Sequence, residues 1–422
     1  MRHAGMLIVL CCAAAVARAD DWPRWRGPGG DGISREQDLA EKWPDAGPRV
    51  LWTAKVGAGY SSPVAVDGVV YLFSTVNDHD TLTVFDAGTG KQVWSNSYDG
   101  GWTGANGSGR PGTRSTPAVD GDVIFTYGGE SDLVCWSRND GRIIWRLNVI
   151  KKTGGKVLNW GTAGGPTVSG DYVYVQGGIG EGAAVAVCVE KASGKIHWTS
   201  EARGAAGDND DFAPGGGYAY PVVADVQNTG QLLVFASRAF IGMDVDTGKT
   251  LWSEPWVTVY DVNSATPIYE DGHAFVSSAY DHGCMVVELT PGGGKKVLES
   301  QEVMCHFQPP ILDRHVLYAN SAGTLKCVSW PDVREKWQTR ELKLGSGGSM
   351  VRVPGDRLIL MTDTGKLWLI KANAEGFEKL SRAEVFAGQS EIWATPLVYN
   401  GRLYCKGTDE LRCLDISKQV GK

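Results

Sequence analysis

Aromatic, amide and charged side chains recur in segments that each precede a short strand, and most copies of that strand are marked by a proline. The residues that we single out are Tyr60, Arg114, Asn159, Trp160, Tyr218, Tyr220, Asn263, His306, Gln308 and Trp393, with Ser115, Asp261 and Glu391 beside them. Rings mixed with amides and a few charges are typical of surfaces that bind a ligand or a peptide. The alternative is an ordinary polar surface that binds nothing, and the sequence leaves both open.

Residues that could hold a metal or carry out hydrolysis are less well arranged. The acidic run at residues 208–211 could supply calcium ligands, but it lacks a recognised calcium-loop spacing, and a solvated loop is the expectation. The histidines His273, His282, His306 and His315 are scattered along the chain. The glycine-rich loops at 100–114 and 203–217 do not join a strand to a helix, as phosphate-binding loops do. We therefore predict no metal site and assign no catalytic residue.

The segments singled out belong to a unit that recurs about every 41 to 55 residues, within the range of propeller blades. Its first half reads as two short strands joined by a turn, as in residues 61–71. Its second half reads as a strand, a Thr-Gly turn and a tryptophan, as in residues 82–94. The pattern predicts an all-β fold, a single eight-bladed β-propeller of four-stranded antiparallel blades. The residues singled out above would then rim one mouth of the central channel.

Tryptophan and cysteine occupy fixed places in this unit. The tryptophans that we expect to dock one blade on the next are Trp52, Trp94, Trp145, Trp198, Trp252 and Trp337. A large ring at this place buries area between adjacent sheets. The cysteines that share a second place are Cys135, Cys188, Cys327 and Cys413. We interpret these cysteines as small buried residues within a strand, because their spacing is not that of a zinc site.

The two ends of the repeat array complement each other. The eighth copy stops after its third strand at residues 411–414, whereas residues 50–54 look like an outer strand with no blade before it. Pairing of these segments would remove two exposed sheet edges. We therefore predict that the N-terminal strand around Trp52 completes the last blade. The propeller would span residues 50–416, after an extension at 20–49 and before a tail at 417–422.

The segments Asp86–Trp94 and Asp244–Trp252 resemble the tryptophan-docking repeat of the pyrroloquinoline quinone (PQQ)-like propeller superfamily. That superfamily includes quinone-dependent alcohol dehydrogenases and non-enzymatic members, among them the lipoprotein that assists outer-membrane β-barrel assembly. Because the repeat concerns blade packing, the resemblance implies the fold and leaves cofactor binding open. The enzymes of the superfamily resemble one another in adjacent cysteines, a calcium site and a catalytic aspartate. Here the adjacent cysteines are Cys11 and Cys12, inside a predicted leader, so we expect no cofactor, with PQQ and calcium as the alternative.

The N-terminus predicts export. Residues 1–19 read as a signal peptide with an early arginine, an apolar stretch and a small-x-small end, cleaved before Asp20. A lipid anchor is not expected, because the bulky Leu10 precedes Cys11. No later apolar run has the length of a transmembrane span. The net charge of −7 argues against a nucleic-acid partner.

Together these features predict an exported, non-catalytic propeller that binds a protein or peptide partner in the periplasm or outside the cell. The first alternative is a PQQ-dependent oxidoreductase, and the second is a glycan-binding propeller that uses its aromatic rim. The segment Asp21–Gly29 resembles the N-terminal stretch of exported PQQ-like propellers. It is expected either to pack across one face of the ring or to form a partly ordered tail. The sequence makes no prediction of oligomeric state.

Overall fold

A computed structural model describes residues 21–104, 110–200 and 215–418. These residues fold into eight four-stranded antiparallel sheets, which form the blades of a single propeller. The predicted all-β fold and its blade number are confirmed. Within these ranges, no helix is both long and apolar enough to cross a bilayer. The predicted signal peptide at residues 1–19 lies outside the described residues.

The N-terminal strand and the first four blades occupy the first part of the chain. The N-terminal strand is β1 (Val50–Lys55). Blade 1 contains β2 (Val64–Val66), β3 (Val69–Val76), β4 (His79–Asp86) and β5 (Gln92–Asp99). Blade 2 contains β6 (Ala118–Asp120), β7 (Val123–Tyr127), β8 (Asp132–Ser137) and β9 (Ile143–Asn148), and it is followed by the short helix α1 (Val149–Thr153). Blade 3 contains β10 (Thr167–Ser169), β11 (Tyr172–Gln176), β12 (Ala186–Glu190) and β13 (Ile196–Thr199). Blade 4 contains β14 (Val222–Val226), β15 (Thr229–Phe235), β16 (Ala239–Asp244) and β17 (Thr250–Pro255).

The remaining four blades follow the same order. Blade 5 contains β18 (Ile268–Glu270), β19 (His273–Ser278), β20 (Gly283–Thr290) and β21 (Gly293–Ser300). Blade 6 contains β22 (Ile311–Asp313), β23 (Val316–Ser321), β24 (Thr324–Ser329) and β25 (Glu335–Thr339). Blade 7 contains β26 (Ser349–Val353), β27 (Arg357–Met361), β28 (Lys366–Asn373) and β29 (Gly376–Glu384). Blade 8 contains β30 (Leu397–Tyr399), β31 (Arg402–Lys406) and β32 (Glu410–Asp415).

The ring closes through the predicted pairing of the two chain ends. Strand β1 lies antiparallel to β32 and forms the outer strand of blade 8, with Trp52 opposite Cys413. The prediction that the N-terminal strand completes the last blade is therefore confirmed. Because every sheet then has four strands, closure leaves no blade with an incomplete outer edge.

Docking tryptophans lie against the turn of the following blade. The glycines in contact are Gly90 with Trp52, Gly141 with Trp94, Gly194 with Trp145, Gly248 with Trp198 and Gly294 with Trp252. At Gly90 a Cβ atom would come within 2.5 Å of the Trp52 ring, and the φ of +71° also favours glycine. Trp337 instead contacts Phe377 of the next blade, with ring centroids 5.4 Å apart. The turns of the sequence unit thus receive the ring of the preceding blade.

Each recurring cysteine lies opposite a docking tryptophan on the neighbouring strand of its blade. The register places Cys135 opposite Trp145, Cys188 opposite Trp198, Cys327 opposite Trp337 and Cys413 opposite Trp52. All four cysteines are buried and carry free thiols. Blade 4 has Gly242 at the matching place, opposite Trp252. A small residue at this position leaves room for the indole of the neighbouring strand.

Residues 21–40, which we call the strap, run along one end of the channel. Trp22 exchanges backbone hydrogen bonds with Ala65 of blade 1. Further along, the amide of Ser34 donates to the carbonyl of Arg352 in blade 7 at 2.8 Å. The amide of Ala40 donates to the carbonyl of Ile416, just after the last strand of blade 8, at 2.8 Å. The strap therefore packs against the ring from blade 1 to blade 8.

The strap lies at the end of the channel where the first two strands of each blade are joined by a turn. The amide of Asp67, in the β2–β3 turn, donates to the Asp21 carboxylate at 3.0 Å. In blade 8 the amide of Gly401, in the β30–β31 turn, donates to the carboxylate of Glu36. We call this end the turn mouth. The opposite end, the loop mouth, is formed by the mouth loops, which join the outer strand of one blade to the innermost strand of the next.

Candidate ligand-binding site at the loop mouth

The mouth loops converge on one pocket with a volume of about 290 Å³. Loops that lead into seven of the eight innermost strands contribute to it. Its lining residues are Trp25, Tyr60, Arg114, Trp160, Ala163, Tyr218, Tyr220, Val262, Ser264, Thr266, Tyr280, Phe307, Gln308, Glu391 and Trp393. Aromatic rings dominate this set, and few of its side chains are charged. Pockets of this composition bind small ligands or anchoring side chains.

Trp25 of the strap forms the floor of the pocket. Its ring stacks on Tyr220 with centroids 5.4 Å apart and planes 13° from parallel. Its indole N–H donates to the Thr266 hydroxyl at 3.3 Å. Trp25 also lines a second cavity, of about 350 Å³, which lies against the strap. The Trp25 ring therefore lies between the two cavities, at the base of the loop-mouth pocket.

A chain of ring contacts surrounds the pocket, and we call it the aromatic belt. It runs from Tyr60 through Trp393, Phe307, His306, Tyr280, Tyr260 and Trp160 to Tyr218, with successive centroids 3.7 to 6.3 Å apart. The Arg114 guanidinium lies 5.5 Å from the centroid of Tyr60. The flat faces of these rings can pack against an apolar or aromatic group of a ligand.

Arg114 and Glu391 are the charged residues of the pocket lining. Glu391 forms an ion pair with Arg110 at 2.7 Å and accepts a hydrogen bond from the Tyr60 hydroxyl at 3.0 Å. Arg114 donates to the backbone carbonyls of Gly112 and Arg110. Burial lowers the pKa of Arg114 to about 10, so the side chain still carries its charge at neutral pH. The charged side chains of the lining and the ion-pair partner Arg110 thus comprise one carboxylate and two guanidinium groups.

The titratable rings of the pocket are neutral at physiological pH. Burial raises the pKa of Tyr60, Tyr218 and Tyr220 to about 12, so their hydroxyls stay protonated. Burial also lowers the pKa of His306 to about 4. The His306 Nε2 lies 2.8 Å from the Tyr280 hydroxyl. The belt therefore presents uncharged rings with hydrogen-bonding edges.

The structure brings together most of the rim residues that we singled out from the sequence. Those that line the pocket are Tyr60, Arg114, Trp160, Tyr218, Tyr220, Gln308 and Trp393. His306 belongs to the belt but not to the lining. Asn159, which precedes Trp160 in the chain, is exposed. Both ends of the Gln308 amide are hydrogen-bonded within the protein. Its nitrogen donates to the Trp393 carbonyl at 2.7 Å, and its oxygen accepts from the Thr395 hydroxyl at 3.1 Å.

The assignment of Asn263 to the rim is wrong. Its side chain is fully buried. The amide donates to the carbonyls of Ala236 and Ser237 at 2.8 and 3.0 Å, and its oxygen accepts from the Ser278 hydroxyl at 2.8 Å. Asn263 therefore holds neighbouring loops together. The prediction failed because an amide side chain can hydrogen-bond buried backbone groups as well as a ligand.

Several lining residues were missed by the sequence reasoning. Phe307 lies between His306 and Gln308 in the same mouth loop, so its position alone could have revealed it. Tyr280 comes from the β19–β20 turn, and Trp25 comes from the strap, far from any mouth loop in sequence. No local signal marks these two as neighbours of the pocket.

The described residues do not fit a calcium-bound quinone. They contain no cluster of three or more His, Cys, Asp or Glu side chains that could hold a metal ion. The single carboxylate of the lining, Glu391, is already paired with Arg110. No cysteine is among the lining residues. The acidic run at 208–211 lies outside the described residues.

The eight four-stranded blades define the class of protein as a β-propeller. A sequence family described as outer membrane protein assembly factor BamB, of PQQ-repeat type, matches residues 78–339, which is more than half of the chain. The chain therefore belongs to this family. Comparison with curated proteins gives no significant match.

Solved structures of two kinds share the fold. The quinohemoprotein alcohol dehydrogenase from Comamonas testosteroni has a TM-score of 0.67 and 14% identity, over 97% of this chain and 82% of that one. BamB from Moraxella catarrhalis has a TM-score of 0.59 and 14% identity, over 89% of this chain and 99% of that one. At these identities the similarity concerns the fold alone.

Proposed function

We propose that this chain is a non-catalytic, exported propeller that binds a protein or peptide partner of the cell envelope at its loop mouth. One observation carries the proposal: the aromatic pocket adjoins exposed apolar side chains on its rim. Membership in the BamB family supports a protein partner, and the leader predicted at residues 1–19 supports an envelope location.

The exposed apolar side chains lie on one loop beside the pocket. Val259 and Tyr260, between blades 4 and 5, have 75% and 55% of their surface exposed. Tyr260 contacts two residues of the pocket lining, Trp160 and Tyr280. An exposed apolar patch that adjoins an aromatic pocket is typical of a protein-binding surface. The pocket would take an anchoring side chain, and the patch would contact the neighbouring residues of the partner.

A library of displayed random peptides, selected on the full-length protein, tests this proposal. We expect the selected peptides to lose at least about tenfold in affinity for Trp160→Ala and Tyr260→Ser, because both changes remove rings from the binding surface. The matched control is Ile144→Ser, an exposed apolar residue on the outer strand of blade 2. The proposal fails if no peptide is selected, or if all three variants bind as the wild type does.

Quinone binding is the second candidate, favoured by the stacked walls of the pocket and by the cation at Arg114. Melting curves with added PQQ and calcium separate it from the proposal, since a tight ligand of the folded state raises the melting temperature. We expect no shift, because the described residues supply no calcium site. A saturable shift with one equivalent of quinone would favour the oxidoreductase.

A further inference from the structure

Arg114 has no acidic partner among the described residues. Its two hydrogen bonds are made to backbone carbonyls, those of Gly112 at 2.6 Å and Arg110 at 3.0 Å. A guanidinium has five N–H groups, so three of them have no acceptor in these contacts. Arg110, a second cation of the mouth, is already paired with Glu391. Arg114 therefore provides the unneutralised positive charge of the pocket.

A second unsatisfied donor lies beside this guanidinium. The Trp102 ring centroid is 5.7 Å from the Arg114 guanidinium carbon. The Trp102 indole N–H is buried and has no hydrogen-bond acceptor in the described part of the chain. Buried donors without acceptors are uncommon in folded proteins. An anionic oxygen ligand in the pocket would supply an acceptor to the N–H groups of Arg114 that have none.

The Trp25 ring and the small volume of the pocket limit how a chain can enter it. A chain that threaded through the ring would have to pass the Trp25 ring, which lies between the two cavities and is stacked on Tyr220. An internal segment would have to turn back within about 290 Å³, which is at the small end of the range for ligand pockets. A chain end needs no such turn. The exposed rim at Val259 and Tyr260 offers apolar contacts for residues that precede that end.

We propose that the loop mouth binds the C-terminus of a partner chain. Arg114 takes the terminal carboxylate, and the aromatic belt packs against a last side chain that is aromatic or large and apolar. This recognition combines a charge-assisted hydrogen bond with ring packing, and neither element alone distinguishes a chain end from other ligands. The inference rests on the proposed function, because it names the part of the partner that enters the pocket.

Labelled peptides with the two forms of the C-terminus test the inference. The probes are fluorescein-Gly-Ser-Gly-Ser-X, with Phe, Trp, Leu or Ser as X, each made as the free acid and as the amide. We expect the free acids ending in Phe, Trp or Leu to bind the full-length protein at least tenfold more tightly than their amides. The peptides ending in Ser should bind weakly in both forms. Equal affinity of acid and amide overturns the inference.

Two arginine variants separate a specific contact from the overall charge of the mouth. Arg114→Gln should abolish the preference for the acid over the amide, whereas Arg110→Gln, which removes the same charge from a paired residue, should retain most of it. Equal loss in both variants overturns the specific role of Arg114. If Arg114→Gln does not fold, the acid and amide comparison on the wild-type protein still decides, and Arg114→Lys provides a variant that keeps the charge.

The same experiments distinguish failure of this inference from failure of the proposed function. If library peptides bind the mouth but none of the free acids is preferred, the proposed function stands and the C-terminal inference falls. If 3-phenylpropionate competes as strongly as the peptide ending in Phe, the ligand is a free aromatic acid and the inference also falls. If neither library peptides nor labelled peptides bind, both proposals fail.

Discussion

The two mouths of the channel are built from different kinds of contact. At the turn mouth the strap lies along the ring and pairs with it through backbone hydrogen bonds, and Arg26 is buried among four carbonyl groups. At the loop mouth, by contrast, rings such as Tyr260 and Tyr280 remain exposed and contact mainly one another. One end of the ring has its polar groups satisfied by the chain itself, and the other end leaves surface for a second molecule.

This difference indicates how one fold separates stability from recognition. Covering the turn mouth uses donors and acceptors that would otherwise face water, so the strap contributes to the folded state. Exposed rings at the loop mouth contribute little to folding, and their substitution should mainly affect binding. Substitutions at the turn mouth should therefore lower the free energy of unfolding, whereas substitutions of exposed rings at the loop mouth should mainly lower the affinity for a partner.

Arg26→Ala should have the largest effect on stability. The Arg26 guanidinium donates to the carbonyls of Gly30, Asp31, Pro309 and Pro310 at 2.7 to 3.1 Å, and alanine leaves these acceptors unsatisfied. We expect a loss of about 3 kcal/mol in unfolding free energy, measured by urea denaturation. Trypsin should also cleave the strap faster at Arg35. The control Arg142→Ala, at an exposed turn, should change stability by less than about 0.5 kcal/mol. An unchanged strap would contradict the role given to Arg26.

The pH dependence of stability should show a smaller effect, at the loop mouth. Burial lowers the pKa of His306 to about 4 in the folded protein, below its usual value of 6.5. The unfolded chain therefore binds the proton first, so this contribution to stability is complete above pH 6.5 and is lost as pH falls toward 4. The free energy of unfolding of the wild type, minus that of His306→Gln, should rise by on the order of 2 kcal/mol from pH 4 to 6.5. A flat difference would show that His306 titrates normally.

That comparison with the variant is necessary because Asp80 acts in the opposite direction. Burial raises the pKa of the Asp80 carboxyl to about 6. The folded state then binds the proton more tightly than the unfolded chain, so this contribution is present at low pH and is lost as pH rises through 6. In the wild type alone the two trends oppose each other, whereas subtraction of the His306→Gln curve leaves the histidine contribution.

Tyr260→Ser should have the smallest effect on stability. More than half of the Tyr260 surface is exposed, and its hydroxyl makes no hydrogen bond to another described residue that would be lost. We expect urea denaturation to give an unfolding free energy within about 0.5 kcal/mol of the wild type. A loss greater than about 2 kcal/mol would mean that the belt stabilises the fold, and the contrast between the two mouths would then be wrong.

The fold could be predicted from the sequence because its unit is local and repeated. Each copy of the turn and tryptophan corresponds to the same contact between blades, such as that of Trp52 with Gly90. A copy with a poorly matching sequence can therefore be assigned by its spacing from the clear copies. Ring closure was also predictable, since one segment lacked a blade and one blade lacked a strand. Both predictions depend only on short sequence patterns and on the number of strands in each blade.

The pocket could be predicted only in part, because its residues meet through tertiary packing. Tyr60 and Trp393 could be found because each precedes the innermost strand of a blade. Their ring centroids are 4.5 Å apart, although the two residues lie far apart in the sequence. Trp25 could not be found in this way, because its position depends on the path of the strap. Asn263 occupies a mouth loop like the others, but its amide is used by buried carbonyls. Sequence position identifies the loop, whereas the direction of the side chain depends on packing.

Closure of the ring by β1 has a consequence for the order of folding. The strand Val50–Lys55 leaves the ribosome early, but its partner Glu410–Asp415 is made last. Until then blade 8 cannot form, and β1 presents an unpaired strand edge during most of synthesis. Intermediate blades can assemble from local contacts as they emerge, but the final pairing must join the most distant strands of the chain. The step that completes the ring is therefore the one most exposed to aggregation, and an early stop codon before residue 410 would leave a nearly complete array permanently open.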